Sequence, residues 1–244
     1  MHSGSSLYAL DQDLLERLDP DLILTQELCD VCAISYQEVS AAVHRLEARL
    51  PAQRRVLSLE PHRLDDILTI IEQVGQAAGV PERAHQLVGT LQGQLDQVTA
   101  VTRRVTIRPR VYAMEWLDPP YTAGHWVPEM IRLAGGDDAL ATEGGPSVEL
   151  SWAQIARYDP EVLILMPCSF SLERTLEELP TVERPASWSR LRAVQSGHVY
   201  AVNGAAYFSR SGPRTFEGLT ILGEILHPDL FPRTTPDDAW RQVG

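Results

Sequence analysis

One stretch constrains this 244-residue chain more than any other. Pro81 to Arg104, PERAHQLVGTLQGQLDQVTAVTRR, reads as a single long helix with similar sequence on either side of it. Pro81 suits a first helical position, Glu82 lies at the positive end of the helix dipole, and Arg103 and Arg104 lie at the negative end. Ala84, Leu87, Val88, Leu91, Leu95 and Val98 recur at three- and four-residue spacing, one apolar stripe on a polar rod. At about 1.5 Å per residue such a helix runs on the order of 35 Å, the width of a small domain. A helix of that length between two α/β halves is expected to act as a strut, with function located between the halves.

The flanking sequence supports two such halves. Glu16 to Leu24, ERLDPDLIL, aligns with Ala156 to Ile164, ARYDPEVLI, 140 residues further on. A second strand, Val56 to Pro61, corresponds to Val199 to Gly204, and an apolar helix follows each. The expected fold is α/β, two pseudo-equivalent lobes with mostly parallel sheets joined by one long rigid helix. Residues 1–64 would form the first lobe, 65–104 a helical segment containing the connecting helix, and 105–244 the second lobe. The second lobe opens with a strand, Arg110 to Trp116, that empties into a long Pro- and Gly-punctuated loop ending at Trp126. A helix from Val127 to Leu133 follows and ends at Gly135-Gly136. Before Ser6 there is no room for the same opening strand, so the first lobe reads as shortened. An uncovered sheet edge there would invite pairing with a second copy of the chain, a homodimer.

Composition narrows the function. No apolar run approaches the eighteen or so residues of a membrane helix. The start, MHSGSSLYAL, lacks a basic n-region and an apolar h-region, so the chain as given is expected to be cytoplasmic. A net charge of −12 argues against a nucleic-acid partner and leaves acidic surface for docking on something basic. Three cysteines are too few for a disulfide scaffold, so reduced thiols are expected. There is no G-x-S-x-G, no phosphate-binding Gly-Lys loop, no H-E-x-x-H and no G-x-G-x-x-G, which favours binding over catalysis and predicts a protein that is not an enzyme.

In open α/β sheets ligands sit beyond the carboxyl ends of the strands. That rule selects the loops Gln26 to Cys32, Glu60 to His62, Glu115 to Trp126, Pro167 to Phe170 and Asn203 to Arg214. Cys29, Cys32 and Cys168 all fall in them; Cys29 and Cys32 read as a redox dithiol, as a soft metal site that Cys168 or a histidine completes, or as small buried residues plugging loop-to-helix turns. His125, between Gly124 and Trp126, suits a metal or a polar ligand, and His62 follows Pro61 at a first-lobe strand end. Trp116, Tyr121, Trp126, Phe170, Tyr207 and Phe208 place much of the chain's aromatic surface in these loops, fitting a flat, partly apolar ligand or capping the lobe cores. Arg210 and Arg214, in SRSGPR, suit a ligand's carboxylates or amides, although Arg214 also suits the start of the last helix.

With the paired DPDLIL and DPEVLI segments, the long helix and the SGPR segment, the chain resembles the helical-backbone class of ABC-importer substrate-binding proteins. LTQELCDVCAIS, MEWLDPPYTAGHWVPEMIRLAGG and LILMPCSFSLERT resemble its cobalamin-binding subgroup. The resemblance implies a small-molecule ligand, cobalamin or a related metal chelate, clasped by aromatics from both lobes with little lobe movement. It requires no cofactor, and an importer permease would be the partner. By position, Tyr121, Trp126, Phe170, Tyr207 and Phe208 would be ring contacts, and Glu38 and Glu173 the acidic docking pair. The family role is periplasmic or extracytoplasmic. The cysteines point to a different alternative, a cytosolic metal- or thiol-dependent protein with a metal ion bound at Cys29, Cys32 and Cys168 on the same scaffold.

Overall fold

The computed structural model describes residues 10–26, 36–49, 54–182 and 184–244. In chain order the elements are α1 (Gln12–Leu18), β1 (Leu22–Thr25), α2 (Tyr36–Arg49), β2 (Arg55–Ser58), α3 (Leu64–Ala77), α4 (Pro81–Thr102), β3 (Val111–Leu117), β4 (Pro120–Thr122) and α5 (Val127–Leu133). They continue with α6 (Trp152–Tyr158), β5 (Val162–Leu165), α7 (Leu172–Glu178), α8 (Arg192–Gln195), β6 (Val199–Val202), α9 (Gly204–Tyr207), α10 (Arg214–Leu226) and β7 (Trp240–Gln242). The chain forms two compact units, one of residues 1–61 and 68–86, the other of residues 62–67 and 87–244. Helices α3 and α4 each contribute residues to both.

In the first unit β1 and β2 run parallel, with Ile23 opposite Val56 and Leu24 opposite Leu57. Helix α1 starts at an Asp11 cap, whose side chain accepts from the Leu14 N–H, and stops at Asp19 in the left-handed conformation. The same device recurs at α6, with a Ser151 capping box at its start and Asp159 left-handed at its end. Asp19 and Asp159 are 140 residues apart, so the repeat seen in the sequence is a repeat of backbone conformation. Each also pairs with an arginine lying ahead of the next parallel strand, Asp19 with the buried Arg54 and Asp159 with Arg192 at 3.4 Å.

The second unit carries a five-stranded sheet of order β4-β3-β5-β6-β7. Its centre, β3, β5 and β6, is parallel, and both edges are antiparallel. Every residue of β5 and β6 is buried, as expected of parallel strands covered on both faces. On one face Tyr112, Met114, Leu163, Leu165 and Val199 pack against Ile155, Trp188 and Leu191. On the other, α10 packs on α5, and Val111, Ile131 and Leu226 converge on Gly136, where a Cβ would lie 2.8 Å from Ile131.

Two edge strands were not expected from the sequence. Pro120–Thr122 lies inside what reads as a loop, because a proline suits only the start or edge of a strand and three residues show no alternation. Trp240–Gln242 is equally short and is defined by its partner β6. The expected helix at 81–104 is α4, whose last helical residue is Thr102.

One buried carboxylate fastens the C-terminal segment. Glu224 on α10 accepts from the Thr234 and Thr235 N–H groups at 2.6 and 3.0 Å, from both threonine hydroxyls, and from Trp240 Nε1 at 2.9 Å. Burial alone would raise this carboxyl; the donors from Thr235, Thr234 and Trp240 outweigh it and hold the group below its ordinary value. Glu224→Ala leaves these donors unpaired and is expected to cost about 2–4 kcal/mol in urea unfolding. Because the folded-state pKa is depressed, the stabilisation is present above the unfolded value of about 4.3 and is lost as pH falls through the folded value. Melting curves between neutral and acid pH should therefore show a shallower acid limb for Glu224→Gln than for the parent.

Candidate functional site

The parallel centre of the second unit sends the loops after β3, β5 and β6 to the same edge of the sheet. These loops are bonded to one another. The Cys168 N–H donates to the Glu115 carbonyl at 2.9 Å, the Ala205 N–H to the Phe170 carbonyl at 2.9 Å, and the Ser169 N–H to Ser209 Oγ at 3.1 Å. Trp126 Nε1 donates to the Phe208 carbonyl at 2.9 Å. Gly204 permits a close approach, since a Cβ there would sit 2.7 Å from the Pro167 carbonyl oxygen.

The loop after β3 is fastened along its length. Thr122 N–H donates to the Val148 carbonyl at 2.9 Å, His125 N–H to the Gly145 carbonyl at 2.6 Å, and Gly144 N–H to the His125 carbonyl at 2.9 Å. His125 is held at φ 53°, a conformation uncommon for a residue with a Cβ. Beneath it, the Glu115 carboxylate accepts from Ser147 Oγ at 2.6 Å and from the Gly124 N–H at 3.1 Å. Burial raises the Glu115 carboxyl, and the Ser147 and Gly124 donors oppose that rise. Gly124 cannot carry a side chain, because a Cβ would lie 2.5 Å from the Ser147 nitrogen.

Residues 62–67 belong to this same unit. The Leu64 N–H donates to Glu129 Oε2 on α5 at 3.0 Å, and Arg63 reaches Glu143 at 3.1 Å. Arg132 also bonds Glu143 and lies 3.7 Å from Glu129, which makes a four-residue charged lattice. Its result is to place His62 beside His125, with ring centroids 5.9 Å apart. Burial first, and the neighbouring His62 second, lower the His125 pKa.

The aromatic candidates separate into two groups. Trp116 is 41% exposed and stands edge-on against Phe170, their centroids 5.5 Å apart. Tyr121 is half-buried and its hydroxyl lies 3.4 Å from Glu149. Trp126, Phe170, Tyr207 and Phe208 are buried, and Arg174 covers the Phe170 ring at 3.7 Å. These four brace the loops from below, whereas Trp116, Tyr121 and His125 present surface. Arg210 is exposed, and its carbonyl accepts from Thr215 Oγ1 at 2.7 Å. Cys168 is half-buried, with Sγ 3.8 Å from Ser169 Oγ.

Cys29 and Cys32 lie outside the described residues, as does the side chain of Glu38. Among the described residues no cluster of three or more His, Cys, Asp or Glu side chains is arranged to hold a metal. Glu173, in the first turn of α7, lines a groove of about 550 Å³ with Glu177, Asp237, Asp238 and Arg241. The sequence did not assign roles to Glu115, Ser147 or Arg174. Arg174 had a signal, its four-residue spacing from Phe170; Glu115 and Ser147 meet only through the fold.

Glu115→Ala should cost about 1–3 kcal/mol in urea unfolding, because the Gly124 N–H and Ser147 hydroxyl lose their acceptor, and Glu115→Gln should cost less.

The profile of the periplasmic binding protein family matches residues 9–206. The chain is 26% identical over 220 residues to the uncharacterized ABC transporter substrate-binding lipoprotein YvrC of Bacillus subtilis, covering 88% of this chain and 64% of that protein. It is 24% identical over 166 residues to a vitamin B12-binding protein of Vibrio parahaemolyticus, covering 66% of this chain and 56% of that one. The chain therefore spans less than two thirds of the length of either curated relative. Among solved structures, the periplasmic heme-binding protein RhuT of Roseiflexus superposes with a TM-score of 0.69 at 23% identity, over 90% of this chain and 80% of that one. At that identity the likeness establishes the fold.

Proposed function

The chain belongs to the periplasmic binding protein family, and from that premise we propose that it is the substrate-binding component of an ABC-type importer, carrying cobalamin or a related metal chelate. The observation that carries this reading is the pre-formed surface at the carboxyl edge of the second unit's sheet. There the exposed Trp116 ring is braced by Phe170, and the His125 loop is fixed by backbone hydrogen bonds. A flat, partly apolar ligand gains from an aromatic face already held in place, because little side-chain freedom is lost on binding. Arg210 supplies an exposed cation for carboxylates or amides at the ligand's edge. The mechanism is capture and release, with no bond broken. The acidic groove around Glu173, Glu177, Asp237 and Asp238 is the surface offered to a basic patch of a permease.

Absorbance titration of the full chain with hydroxocobalamin and with hemin tests this. Saturable one-to-one binding of one of them at micromolar concentration or below is expected, weakened at least tenfold by Trp116→Ala with no change in the melting midpoint. Absence of binding to both, with stoichiometric zinc or iron in the protein as isolated, would overturn the reading.

A further inference from the structure

Resting on the metal-chelate reading, we propose that His62 and His125 form a two-imidazole site for a transition-metal ion, whose remaining coordination positions are filled by donors that the cargo brings.

Three observations carry the assignment. The first is spacing. With a metal–nitrogen distance of about 2.0–2.1 Å, a ligating imidazole places its centroid roughly 3.2 Å from the metal, so two rings on one ion stand roughly 4.5 Å apart at a right angle, roughly 5.2 Å at the tetrahedral angle and roughly 6.4 Å when linear. The rings of His62 and His125 are 5.9 Å apart, at 54° to each other. The second is an unsatisfied atom. His125 Nδ1 is buried and has no hydrogen-bond partner among the described residues. A buried ring nitrogen without a partner is costly, and ligation is one way to satisfy it. The third is construction. His125 is clamped on both sides of its peptide by Gly144 and Gly145, and His62 is fixed by the bonds that its neighbours Arg63 and Leu64 make to Glu143 and Glu129. The His62 N–H itself donates to Asp66 Oδ2 at 2.9 Å. Both imidazoles thus stand on fixed backbone, as a ligating pair requires.

Two imidazoles alone do not close a coordination shell, and no third His, Cys, Asp or Glu joins them among the described residues. The open positions are where a chelate's own oxygen or nitrogen donors would enter. Imidazole nitrogen selects zinc, copper, nickel and iron over magnesium and calcium, which sets the class of metal.

Nickel(II) chloride alone, titrated calorimetrically into the full chain, tests the pair without any chelate. Asparagine is the replacement of choice, since it tolerates the left-handed backbone that His125 adopts. One Ni(II) site is expected, weakened at least tenfold in both His62→Asn and His125→Asn and retained in His85→Asn, all with the parent's metal-free melting midpoint. No Ni(II) uptake by the parent, or equal uptake by the two site variants, would overturn the assignment. A variant that shifts the melting midpoint is replaced by its His→Gln counterpart, read by the same criterion. Failure of the pair leaves the hydroxocobalamin and hemin titrations unaffected, and failure of those titrations leaves the Ni(II) result standing, so the two are separable.

Discussion

The parallel pairing of β3, β5 and β6 is the constraint on which the rest of the second unit depends. Parallel strands need crossovers, and the crossovers cover both faces of the sheet, which makes Val111–Met114, Val162–Leu165 and Val199–Val202 apolar and buried. The same geometry carries every strand end of the three to one edge. Polar and aromatic loop residues then have a single place to gather. The candidate site is sought there because parallel strands send their carboxyl ends to one edge.

What converts that edge into a site is backbone hydrogen bonding more than side-chain packing. The His125 loop is bonded to the 144–148 segment, and the β5 and β6 loops are bonded to each other through Phe170 and Ser209. Glu115 contributes from below, with an acceptor placed where Gly124 and Ser147 bring two donors together. The aromatic residues divide accordingly: Trp126, Phe170, Tyr207 and Phe208 fill the underside, and Trp116 stands out from it.

Charge is distributed unevenly over this acidic chain. Arg63, Arg132, Glu129 and Glu143 neutralise one another in a lattice that serves position, fixing residues 62–67 in the second unit. The carboxylates around Glu173, Glu177, Asp237 and Asp238 share their groove with Arg241 and leave it acidic on balance. One group of charges therefore positions the residues of the candidate site, and the other lines a surface groove.

The sequence by itself determined the repeat and the longer elements, though not the two short edge strands. DPDLIL and DPEVLI announced two turn-and-strand units because an Asp-Pro step stops a helix and a buried parallel strand must be apolar throughout; Asp19 and Asp159 adopt the same left-handed cap. Helix α4 was legible from its stripe and its Pro81 start, and α5 from its expected span of about Val127 to Leu133. The loops that carry the candidate site were legible as well, since strand ends in such sheets face one way. Only the tertiary structure decided which aromatic rings are covered, because a Trp or Phe in a loop has the same pattern whether it faces solvent or the core. It alone made Glu115 a loop anchor and set His62 against His125, 63 residues apart in the chain. Such pairings follow from long-range closure, which local periodicity does not encode, and here they rest on ion pairs and backbone bonds whose partners lie as far apart as Leu64 and Glu129.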